Sequence, residues 1–78
     1  MSSLFTVDGY KVYFWSNEGN EPIHVHIEAN GKKAKIALEP EVCLVYNHGL
    51  KEQELKKALD TCRTYREDFI AEWHKRFG

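Results

Sequence analysis

Ile23-His24-Val25-His26-Ile27 is the stretch on which the reading of this chain turns. β-Branched residues at 23, 25 and 27 alternate with two imidazoles, the period-2 pattern of a strand that buries one face and turns the other away. Ile23, Val25 and Ile27 claim a core, while His24 and His26 leave together on the opposite side. An imidazole exchanges protons or binds a transition metal near neutral pH without a large shift. The same five residues therefore nominate both a sheet and a site.

Working outward, Tyr10-Lys11-Val12-Tyr13-Phe14-Trp15 is an aromatic and β-branched run with the composition of a strand. The polar loop Asn17-Glu18-Gly19-Asn20-Glu21-Pro22 separates it from the histidine strand. Beyond that strand, Asn30-Gly31 is the strongest short hairpin signal, and Lys33-Ala34-Lys35-Ile36-Ala37-Leu38 alternates charged and apolar residues as its partner. Pro40 breaks the ladder. Glu41 to Tyr46 fits either a fourth short strand or the start of a helical turn, because so short an apolar run has no diagnostic period.

From Lys51 to Arg76 the period changes. Leu55, Ala58, Leu59, Cys62, Tyr65, Phe69, Ile70, Trp73 and Phe77 recur at helical spacing with charges between them. One such helix would be about 39 Å long, against about 17 to 20 Å for a strand of five or six residues. Phe69, Ile70, Trp73 and Phe77 are therefore expected to pack on Leu4 and Phe5 or on a second copy of the chain, which predicts a homodimer through the C-terminal helix. The expected class is α+β: a three- or four-stranded antiparallel sheet over about residues 5–46, packed on one face by a long helix over about 51–76, in a single domain spanning 1–78.

Composition narrows the function classes. A chain of 78 residues has a marginal core. Eleven Lys and Arg against twelve Asp and Glu give a net charge of -1, which excludes a global field for nucleic acid and leaves anion binding to local clusters. Cys43 and Cys62 have no CxxC spacing and read as reduced thiols. With no run of 18 apolar residues and no leader pattern, the expectation is a cytoplasmic protein without membrane contact.

The alternation also sorts the sheet. If Val12, Phe14, Ile23, Val25, Ile27, Ala34, Ile36 and Leu38 face the helix, the other face carries Lys11, Tyr13, Trp15, His24, His26, Glu28, Lys33 and Lys35. Aromatic and cationic groups on an open sheet suit single-stranded RNA, with Tyr13, Trp15, Glu18, Lys33 and Lys35 as binding residues. Catalysis is a second reading. His24 and His26 would exchange the protons of metal-independent RNA cleavage, Lys35 or Lys33 would stabilise phosphate, and Glu18 would orient a ring. The third is a metal site in which His24 and His26 share zinc or nickel; the first two readings need no cofactor. His48 is expected to cap backbone groups at the start of the helix.

Phe14-Trp15-Ser16-Asn17-Glu18-Gly19, Glu21-Pro22, His24-Val25-His26, Ala34-Lys35, Asn47-His48-Gly49, Glu54-Leu55, Glu72-Trp73-His74 and Phe77-Gly78 together resemble a small bacterial domain-of-unknown-function family, numbered four thousand one hundred and sixty. The resemblance spans essentially the whole chain. It departs at Ile23, where the family often has a second proline, and at Ala37, where it often has an aromatic residue. It implies a small cytoplasmic protein encoded beside another short protein, an arrangement associated with toxin-antitoxin pairs. The combined expectation is a nucleic-acid-associated or toxin-antitoxin-like interaction module that works through the His24/His26 face.

Overall fold

Five antiparallel strands form a simple meander in the computed structural model, which describes residues 2–14 and 20–78, residues 2–4 by their backbone alone. β1 (Ser2–Val7), β2 (Tyr10–Phe14), β3 (His24–Ala29), β4 (Lys32–Ala37) and β5 (Cys43–His48) lie side by side in chain order. α1 (Glu52–Thr64) and α2 (Arg66–Phe77) follow. The α+β class stands, but the sheet has five strands where three or four were expected, and the single long helix is two.

Each difference has a physical origin. β1 pairs with β2 across Asp8 and Gly9, both at positive φ of 53° and 83°, the two-residue geometry that matches strand twist. Asn30 and Gly31 repeat it between β3 and β4 at 54° and 77°. The ambiguous run after Pro40 is a strand: Cys43, Leu44, Tyr46, Asn47 and His48 pair with β4. A register shift opposite Lys35 and Ile36 leaves Val45 unpaired as a bulge. The expected helix is interrupted at Tyr65 (φ -105°, ψ 16°), just after Thr61, Cys62 and Thr64, residues of below-average helix propensity. The two pieces, about 20 and 18 Å long, each match a strand, so both can lie on the sheet.

The helix-facing set is as the alternation predicts. Val12, Phe14, Val25, Ile27, Ala34, Ile36 and Leu38 are buried together with Ala58 and Cys62 of α1 and Phe69 and Trp73 of α2. Ile23 packs at the margin of this core, and its carbonyl accepts a hydrogen bond from the Leu38 amide at 2.9 Å, extending the β3–β4 ladder by one pair. Phe69 lies 5.4 Å from Phe5, and Trp73 meets Phe14 edge-on at 5.3 Å. The apolar stripe of α2 is thus covered within one chain. Leu4, the other expected contact, has its side chain outside the described residues.

Polar contacts fix the layers. The Thr61 hydroxyl donates to Asp8 at 2.9 Å, joining the β1–β2 turn to α1, and Tyr10 donates to the Glu54 carbonyl at 2.7 Å. Burial, then the nearby Glu54 and Asp8 charges, push the Tyr10 hydroxyl above its ordinary pKa. Asn47 closes the turn into α1: its amide donates to the Leu50 carbonyl at 2.9 Å and its oxygen accepts from the Leu50 N–H at 3.0 Å. Gly49 beside it has φ of +103°, and a Cβ there would meet Lys32 Cγ at 3.3 Å. Arg66, the first residue of α2, donates to the Leu38 carbonyl at 2.7 Å and to that of Pro40 at 3.5 Å, holding the β4–β5 connection against the helix break.

Candidate binding face and cavity

On the face away from the helices the strands bring the expected residues into three cross-strand rows. Nearest the Asn30-Gly31 turn stand Lys11, Glu28, Lys33 and His48, each opposite the next. The middle row is Tyr13, His26, Lys35 and Tyr46. The last holds His24, Ala37 and Cys43.

The rows differ sharply in exposure, and this corrects the expectation of an open histidine face. His24 is 1% exposed, His26 4% and Tyr13 1%. Tyr13 stacks on His26 at 5.4 Å and 16° between planes, so its ring is committed within the fold instead of offering a platform for a base. His24 meets His26 edge-on at 5.1 Å and, at the end of the sheet, also reaches Trp73 at 5.1 Å. Its Nδ1 lies 2.8 Å from the Pro22 carbonyl; a carbonyl only accepts, so Nδ1 is the donor of this hydrogen bond. Strand periodicity assigns a side chain to a face and says nothing about what covers that face. Trp15 and Glu18 lie outside the described residues.

Lys35 Nζ donates to Glu21 Oε1 at 2.7 Å, with 19% of its side chain exposed. Lys11 and Lys33 are exposed. His48 stacks on Tyr46 at 4.4 Å instead of capping the helix, a task divided between Asn47 and Glu54. Glu54 accepts from the Lys51 N–H at 2.9 Å and from Lys32 Nζ at 3.3 Å, and these contacts, the backbone one first, hold its carboxyl below its ordinary pKa.

A cavity of about 500 Å³ opens at the third row. Pro22, His24, Lys35 and Ala37 line it on the β3–β4 side, Pro40, Cys43 and Val45 on the other, and Glu21, Glu39 and Glu41 complete the lining. The lining is mainly apolar, and its three Glu residues outnumber its one Lys, which is paired with Glu21, so the recess disfavours phosphate and suits a cation with an apolar stem. Sequence reasoning missed Glu39, Glu41, Cys43 and Val45. The signal was the acidic residue on either side of Pro40, read only as the end of a ladder.

Burial pushes the Cys62 thiol up to about 12, whereas Cys43 is exposed. Among the described residues no three His, Cys, Asp or Glu side chains are grouped to hold a metal ion, and no helix is long and apolar enough to cross a membrane. Residues 9–74 match a family model described as a domain of unknown function. No curated protein and no solved structure matches the chain.

Proposed function

The chain belongs to the domain-of-unknown-function family DUF4160, which assigns it no reaction, and we propose on the strength of its own surface that it is a small interaction module binding another protein along β5. The observation that carries this reading is the exposure of β5. Leu44 is 36% and Val45 53% exposed on a strand that, among the described residues, pairs on one side only. An edge strand presents backbone donors and acceptors ready to pair with a further strand. Val45 and Cys43 also line the cavity, so a chain added there would reach side chains into it. Glu21, Pro22, His24 and Lys35, which carry part of the family resemblance, line the same cavity.

This is the toxin-antitoxin-like alternative in physical form, with a small protein encoded alongside as the candidate partner. Co-expression with that neighbour tests it. The pair is expected to co-purify, and Val45→Lys, a change at an exposed position, is expected to separate it. A complex indifferent to Val45→Lys, or two proteins that never associate, would end this reading.

The first row favours a second one, nucleic-acid binding. Lys11, Lys33 and His48 are exposed there, with Glu28 between the two lysines and the half-buried Tyr46 stacked on His48, which sets cations beside an aromatic ring at the end of the face opposite Glu39 and Glu41. Binding of single-stranded RNA should then weaken as salt rises and fall further in Lys11→Ala/Lys33→Ala. Burial of both imidazoles weighs against a mechanism in which a phosphodiester sits between His24 and His26.

A further inference from the structure

We propose that the cavity at the β3–β5 end of the sheet binds the Lys or Arg side chain of a basic partner segment that adds as a strand to β5; the proposal rests on the interaction reading above and names its chemistry. Three independent features meet there. The first is the volume, about 500 Å³, ample for one long side chain. The second is charge. Lys35 is paired with Glu21 at 2.7 Å, and Arg63 and Arg66, which line an adjoining recess with Glu41, are paired with Asp60 and Glu67, so the exposed Glu39 and Glu41 leave the local balance negative among the described residues. The third is the floor. Pro22, Ala37 and Val45 offer apolar contact to an alkyl stem whose charged head remains beside the carboxylates.

The occupant is a peptide because the cavity is continuous with an edge. Cys43 and Val45 belong to β5, and in an added strand every second side chain returns to the same face. One such residue enters the cavity while backbone hydrogen bonds to β5 hold its register. A free amine would satisfy the carboxylates alone. An acidic strand or a phosphate would meet Glu39 and Glu41 and be repelled.

The test is a nuclear magnetic resonance titration of the full chain with a capped Val-Lys-Val-Lys-Val peptide, with its Val-Glu-Val-Glu-Val counterpart and with butylamine. The lysine peptide is expected to shift the amides of Ala37, Cys43 and Val45 and to slow exchange of β5 amides. Butylamine should shift Glu39 and Glu41 without slowing that exchange. Glu39→Gln/Glu41→Gln should weaken the lysine peptide about fivefold, as expected for loss of partly screened ion pairs, and Ala37→Phe should block the cavity and abolish the β5 shifts. Equal binding of the glutamate peptide, or unchanged affinity in the double variant, would overturn the cation site. If the encoded partner still separates on Val45→Lys but not on Glu39→Gln/Glu41→Gln, the cavity proposal falls and the interaction reading stands.

Discussion

Replacing Asn47 by alanine isolates the turn that joins the sheet to the helices. The side chain makes two hydrogen bonds, at 2.9 and 3.0 Å, both to the backbone of Leu50, which is itself 5% exposed. At about 1 kcal/mol net per bond, the loss is about 2 kcal/mol, rising toward 3 if the freed Leu50 groups find no water. A domain of this length holds roughly 4 to 12 kcal/mol in all, and each kcal/mol moves Tm by about 4 to 8 °C. Asn47→Ala should therefore lower Tm by about 8 to 16 °C, and the urea midpoint should fall with the m-value unchanged. Asn47→Asp is the control. It keeps an acceptor for the Leu50 N–H but sets a carboxylate against the Leu50 carbonyl, so it should recover little. A loss below about 0.5 kcal/mol in Asn47→Ala would show that this turn is held by Gly49 and Leu50 burial alone, and would refute the assignment.

Phe69→Ala empties the contact between α2 and Phe5 of β1 and should cost about 3 to 5 kcal/mol, read by circular dichroism as a Tm lower by at least about 12 °C. Glu54 has its carboxyl pKa lowered in the fold, so its contribution is present above the ordinary value of 4.5 and is lost as pH falls through the lower folded value. In Glu54→Gln the stability measured in urea should accordingly differ from wild type at neutral pH and converge on it in acid. One thiol, Cys43, should react with iodoacetamide in the native protein at pH 8; Cys62, buried and pushed up to about 12, should react only on unfolding, and mass spectrometry of the alkylated peptides reads both.

Much of the fold was legible because alternation and turn chemistry agreed. The set from Val12 to Leu38 was placed on the helix side by period alone, and Asn30-Gly31 by its residues. β1 is less legible: Asp8-Gly9 carries the same hairpin chemistry, but Leu4-Phe5 before it is too short an apolar run to show a period. β5 was ambiguous because an edge strand need not alternate cleanly, and its bulge at Val45 breaks the period further. The break at Tyr65 lay within an unbroken apolar stripe, where only the weak propensities of Thr61, Cys62 and Thr64 marked it. For the candidate site, alternation sorted the faces of β2, β3 and β4 but not their exposure. His24, His26 and Tyr13 are interior groups, whereas Glu39, Glu41 and Val45 are exposed, and tertiary placement brings these three around one recess with His24.

Arg66 connects these two stories. By binding the Leu38 and Pro40 carbonyls it hangs one wall of the cavity from the first residue of α2. The recess on one side of the sheet is thus suspended from the helical layer on the other. A change in how α2 seats on β1 and β2, far from any ligand, would be felt as a change in the width of the opening. Arg66→Lys, which loses the planar fork but keeps the charge, would be the smallest way to slacken that suspension.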